Sequence, residues 1–256
     1  MNWSYAWAVQ AGVGKETAQD FPTLQVHGDY LAMAVCDGAG SAANGGMGSR
    51  IAAMAFCEGA GRLVSSTASL THAGSSNLPE SPELAGATWA SWVLDQIREE
   101  IQSVATHEEK PFFTYACTLV GAVAGPDWTL FVQVGDGAAA YKLGEQRFTA
   151  IVPEESEFLN TTFFVTDETA QSHLQCRLVE GPLDEIALFT DGISGLVLHP
   201  GTHEPHDPFF ETVFRNVRAP EGQDAAASAW LANMLQSDFV TSRTDDDTSI
   251  VVARRL

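Results

Sequence analysis

Positive charge is scarce in this chain. Thirteen Lys and Arg stand against 33 Asp and Glu, for a formal net charge of −20. Only three are lysines, Lys15, Lys110 and Lys142. So negative a surface repels phosphate backbones and anionic headgroups, which argues against nucleic acid or membrane as partners. Cysteine is also sparse. Cys36, Cys57, Cys117 and Cys176 form no Cys-x-x-Cys pair, and three of them lie in apolar runs, where a thiol acts as a small buried hydrophobe. A disulfide framework is excluded and a reducing compartment is expected. No apolar run nears the ~20 residues that a bilayer span requires. The first twelve residues lack the basic segment and apolar stretch of a signal peptide. The expectation is a cytoplasmic protein.

What is present suits a packed core. The 256 residues, 45% of them hydrophobic, can form one domain over 1–256, with no repeat and no convincing linker. Short β-branched or aromatic runs predict strands at Trp3–Val9, Tyr30–Cys36, Cys117–Val123, Trp128–Val134, Ile186–Thr190 and Ile250–Ala253. Helices are expected over Gly48–Leu63, Leu84–Val104 and Asp224–Leu235. In the second, Trp89, Val93, Ile97, Ile101 and Val104 recur at three- and four-residue spacing. Ser65–Pro82 and Leu198–Pro208 read as loops. Closely linked strands with few, segregated helices point to an α+β layered domain rather than a doubly wound sheet.

The informative pattern is where the aspartates fall. Asp37 follows the strand ending at Cys36, Asp136 follows the one ending at Val134, and Asp191 follows Ile186–Thr190. Each is itself followed by glycine. Asp245, Asp246 and Asp247 directly precede the last strand. In antiparallel sheets, strand ends and neighbouring strand starts share an edge, so residues more than 200 positions apart can meet. Clustered carboxylates raise one another's pKa unless a cation neutralises them, and oxygen-only ligands select hard ions such as Mg²⁺ or Mn²⁺.

These residues resemble the type-2C metal-dependent serine/threonine protein phosphatases, in particular the bacterial branch. Gln19-Asp20, Val35-Cys36-Asp37-Gly38-Ala39-Gly40-Ser41, Val134-Gly135-Asp136-Gly137, Leu188-Phe189-Thr190-Asp191-Gly192 and Asp246-Asp247-Thr248-Ser249 follow that family's five motifs in order. The resemblance runs from about residue 3 to 253. It implies a four-layer α-β-β-α sandwich, two antiparallel sheets flanked by helices, with two metal ions at one end. It also implies that Asp37 bridges both ions, that the Gly38 carbonyl binds the second, and that Asp191 and Asp246 complete the first ion's protein ligands. Asp20 would orient the attacking water and Lys15 would bind the phosphate. A metal-bridging hydroxide would attack phosphorus in line. Phosphorylated proteins would be the substrates, with a cognate serine/threonine kinase as partner in signalling.

Two positions depart from the pattern. Many members carry His after the first Asp-Gly, as an acid for the leaving alkoxide, where this chain has Ala39. A positioned acid contributes about 10²–10⁴-fold. Gly195 stands where a third-metal Asp often lies, leaving Asp136 as the candidate ligand for a weak third ion. Two other readings stay open, an inactive regulatory or binding module of the same fold and a phosphatase of small molecules. The cluster His199, His203 and His206, with Glu204 and Asp207, lacks a helical frame that would point its imidazoles together, and reads as loop. Gly14-Lys15 is not a P-loop, and Asp37-Gly38-Ala39 lacks the Asp-x-Asp of haloacid-dehalogenase-type phosphatases.

Overall fold

The computed structural model describes residues 3–73, 82–152 and 162–256. Its strands form two sheets. One has β2 (Phe21–His27), β3 (Tyr30–Cys36), β4 (Leu119–Ala124), β5 (Trp128–Val134) and β8 (Gln175–Glu180), in that order and antiparallel throughout. The other runs β10 (Gly222–Gln223), β1 (Trp3–Gln10), β11 (Thr248–Arg255), β9 (Glu185–Phe189), β6 (Ala138–Leu143) and β7 (Gln146–Thr149). It is antiparallel except at its edge, where the two-residue β10 pairs parallel to β1.

Burial explains the layering. Alternate residues of β3, such as Leu31, Met33 and Val35, meet Leu188, Val251 and Ala253 of the opposite sheet in the central core. The intervening Ala32, Ala34 and Cys36 point outward, under α1 (Gly45–Ala73) and α2 (Pro82–His107). On the opposite outer face, Ile250 and Val252 lie beneath α3 (Asp191–Val197), α4 (Asp207–Asn216) and α5 (Ala225–Leu235). These strands are therefore buried on both faces, which is why they read as continuous apolar runs. The result is the expected α+β sandwich with helices on both outer faces.

Three local expectations shift. The segment read as a loop from Ser65 is helical through Ala73, because Ser, Thr and Ala are tolerated in a helix and no Gly or Pro intervenes before Gly74. The rest of that reading, through Ser81, lies outside the described residues, and Pro82 opens α2. The third helix starts at Ala225, with Asp224 as its N-cap accepting the Ala227 N–H. In Leu198–Pro208 the loop closes on itself through an isolated bridge between Leu198 and Pro205, before α4 begins at Asp207.

The registers bring the relevant ends together. In the first sheet Cys36 pairs with Phe21 and Leu119 with Val134, so the end of β3, the start of β2 and the end of β5 share one edge. In the second, Gln10 pairs with Thr248, Ile250 with Phe189 and Ala138 with Phe189. Side-chain bonds across the two sheets, described next, make these edges one end of the sandwich.

Candidate active site

Each aspartate of the predicted set lies at this end. Asp20 immediately precedes β2 and is buried. Its Oδ2 accepts the hydroxyl of Thr190 at 2.7 Å, joining the residue before β2 of the first sheet to the residue after β9 of the second. Asp37 leaves β3 with its main chain held on both sides, because its N–H donates to Thr118 Oγ1 and its carbonyl accepts the Thr118 N–H. Gly38 must be glycine, since a Cβ there would sit 2.4 Å from the Gly45 carbonyl carbon where α1 begins. Asp191 is the first residue of α3, with Thr190 as the extended N-cap. Gly192 is equally constrained, as its Cβ would fall 2.0 Å from the Asp247 carbonyl oxygen. Asp136 follows Gly135, whose φ of +108° turns the chain out of β5, and accepts the Thr162 hydroxyl.

The Asp triplet separates by burial. Asp245 is exposed, Asp246 is half-buried and Asp247 is buried. Both Asp247 oxygens are used by backbone, Oδ1 accepting the Gly12 N–H at 2.8 Å and Oδ2 the Gln19 N–H at 2.7 Å. It therefore clamps the 12–19 loop onto the start of β11. This role was not read in the sequence, where three identical residues offer no signal of which one turns inward. The Asp246 carboxylate accepts Lys15 Nζ at 2.6 Å, and Lys15 lies 3.2 Å from Asp247. Gln19 turns its amide to the Ala42 carbonyl.

The carboxylates repel one another strongly. Burial first, then the facing charge of Asp20 and a hydrogen bond shared with it, pushes Asp37 up to about 9, with Asp246 and Asp136 adding to the shift. Burial, followed by the charges of Asp136, Asp37 and Asp246, lifts Asp191 to about 7. Asp20 rises to about 6, chiefly by burial, although the Thr190 hydroxyl lowers it. Asp20 Oδ1 and Asp191 Oδ1 are buried with no hydrogen-bond partner. Such oxygens are costly unless a cation or donor meets them. An all-oxygen set with orphaned anionic atoms fits a hard divalent ion. Among the described residues, no three His, Cys, Asp or Glu side chains stand close enough to form a finished cation cage.

The departures also take physical form. Ala39 is buried against Ala42, Ala116 and Phe164, so an apolar wall occupies the place of the leaving-group acid. Among the described residues the histidine loop gathers no metal cluster, and His199 and His206 meet edge to face at 5.3 Å between ring centroids.

A two-sheet α+β sandwich that carries acidic oxygens from five chain segments to one end defines the class of metal-dependent phosphoester hydrolases. The chain matches the protein phosphatase 2C profile over residues 13–236 and belongs to that family of metal-dependent protein phosphatases. It is 31% identical over 263 residues to serine/threonine-protein phosphatase 3 of Escherichia coli (strain K12), an alignment covering 99% of this chain and 98% of that one. Its fold is shared with serine/threonine phosphatase Stp1 from Staphylococcus aureus, with a TM-score of 0.64, 13% identity, and coverage of 100% of this chain and 96% of that one. The S. agalactiae serine/threonine phosphatase gives a TM-score of 0.61 at 10% identity, covering 99% of this chain and 100% of that one.

Proposed function

We propose that this phosphatase removes phosphate from phosphoserine and phosphothreonine in proteins, using two Mg²⁺ or Mn²⁺ ions. The single observation that carries the reading is the convergence of Asp37, Asp191 and Asp246, in which burial and then neighbouring carboxylate charge, that of Asp246 included, raise the proton affinity of Asp37 and Asp191. Asp37, the Gly38 carbonyl, Asp191 and Asp246 would hold the ions, with Asp136 open to a weaker third. Bound there, the ions would bring water close to ionisation at neutral pH and offset charge on the phosphoryl oxygens.

The chain's own groups supply the rest. Asp20, oriented by Thr190, accepts a proton from the attacking water. Lys15, on the loop clamped by Asp247, reaches the phosphate as a point charge. Among the described residues no helix is long and apolar enough to cross a membrane. Cys36, Cys57, Cys117 and Cys176 are all free thiols, which supports a cytoplasmic site of action.

The test is Mn²⁺-dependent hydrolysis of p-nitrophenyl phosphate and of a phosphothreonine peptide, by wild type and by Asp37→Ala. Loss of at least about 10³-fold in the variant, on both substrates, is expected. Equal rates for the two proteins would refute the metal mechanism. Hydrolysis of the aryl ester alone would favour a small-molecule phosphatase. Mn²⁺ binding without turnover would favour a regulatory module, a reading to which the apolar wall at Ala39 gives specific weight.

A further inference from the structure

The contact between Lys15 and Asp246 carries a consequence for cation binding. Lys15 is one of three lysines in a chain of net charge −20. Its Nζ stands 2.6 Å from Asp246 Oδ1 and 3.2 Å from Asp247 Oδ1. Asp247 has both oxygens engaged by backbone N–H groups, from Gly12 and Gln19. Asp246 has a different environment. Besides the ammonium, its Oδ1 accepts only the N–H of its neighbour Asp247, and its charge reaches Asp37 and Asp191. The turn that carries Lys15 is set by its own N–H donating to the Gly12 carbonyl and by Gly14 at φ +84°. Gly12 is in turn pinned, since a Cβ on it would fall 2.2 Å from the Asp245 carbonyl oxygen. The loop therefore delivers a tethered cation to one specific carboxylate.

We propose that Lys15 is a built-in competitor for the metal at Asp246. An ammonium donating to Oδ1 and a divalent ion held by the same carboxylate repel each other, so each weakens the other's binding. Lys15 thereby weakens cation affinity, and a bound cation frees its ammonium for an anionic substrate. The two events are linked, and the linkage is reciprocal. Lys15 thus couples metal loading to phosphate binding. This inference rests on the metal-hydrolase reading above.

Calorimetric titration with Mn²⁺ alone, without substrate, tests it on wild type, Lys15→Met, Lys15→Arg, Asp246→Asn and the double variant Lys15→Met/Asp246→Asn. Lys15 is on an exposed turn, so its variants are expected to fold. The pair is half-exposed and worth little in isolation, so Lys15→Met should tighten Mn²⁺ by about three- to fivefold. Lys15→Arg, which keeps a donor on Asp246, should stay within about twofold of wild type. In the Asp246→Asn background the Lys15→Met gain should vanish, because the competition runs through that carboxylate. The gain persisting there would overturn the inference in favour of simple charge repulsion. Unchanged affinity in Lys15→Met, with wild type binding Mn²⁺, would overturn it as well and leave the metal reading intact. Absence of Mn²⁺ binding by wild type would refute the metal reading itself.

Discussion

The hydroxyl of Thr190 donates to Asp20 Oδ2 at 2.7 Å and itself accepts the N–H of Ser249 at 3.1 Å. Three segments far apart in sequence are thus fastened through one oxygen. Asp20 Oδ1 already lacks a partner, and Thr190→Val would remove the hydroxyl that Oδ2 accepts. We expect a loss of about 2 kcal/mol in urea unfolding, most of it recovered by Thr190→Ser. The hydroxyl also favours ionised Asp20, so its removal raises that pKa above about 6. Because Asp20 must be ionised to accept a proton, the acid limb of the kcat/KM profile should move to higher pH. An unmoved limb would remove Asp20 from the proton-accepting role.

Asp247 binds the Lys15-bearing loop through Gly12 and Gln19. Asp247→Ala should cost about 3 kcal/mol, since a buried N–H and a part-buried one lose a charged acceptor. Asp247→Asn keeps one acceptor oxygen and should cost about half as much. If the loop serves substrate binding, KM for a phosphopeptide rises more than kcat falls in either variant. Equal losses in both parameters would mean that the clamp supports the whole site instead.

How far the site was legible follows from local chemistry. Asp37, Asp136 and Asp191 stood out because each ends an apolar strand and is followed by a glycine, which Gly38 and Gly192 must be for steric reasons. The order of burial within Asp245–Asp247 was hidden, since it depends on contacts with Gly12 and Gln19 more than 225 residues earlier. The same limit applied to the sheets. The doubly buried β3, β5 and β11 were readable as apolar runs. β2 was not, because Pro22 and polar neighbours lie on an edge strand, where a missing N–H is tolerated. β6 begins Ala138-Ala139-Ala140, of which Ala138 and Ala140 fit beneath helices and Ala139 faces the central core, small residues that carry little strand preference.

Asp191 predicts a distinct pH dependence of stability. Its carboxyl titrates near 3.8 when unperturbed and at about 7 in the fold. Between these values the folded protein keeps a proton that the unfolded chain has released. The contribution of Asp191 to stability is therefore full below about pH 4 and is lost as pH rises towards 7. Asp191→Asn carries no charge to lose. With chelator present, wild type and variant should melt together near pH 4, and the variant should melt several degrees higher at pH 8. Mn²⁺ should then favour wild type, which retains the ligand. A melting difference that stays constant from pH 4 to pH 8 would show that Asp191 does not bear the repulsion assigned to it.

Restoring the acid absent at Ala39 is the sharpest test of the surrounding architecture. Ala39 is 7% exposed and packs with Ala42, Ala116 and Phe164, while its N–H donates to the Ala116 carbonyl. Imidazole is far larger than a methyl group, and neither alanine offers a hydrogen-bonding side chain to its ring. Overpacking of this kind costs about 1–3 kcal/mol. Ala39→His should therefore lower the melting temperature and leave kcat within about threefold of wild type, on aryl and alkyl phosphates alike. An alkyl-phosphate rate raised towards the about 10²-fold that a positioned acid supplies would show that the pocket opens to receive one. That outcome would make the missing acid, and not the packing around it, the limit on leaving-group departure.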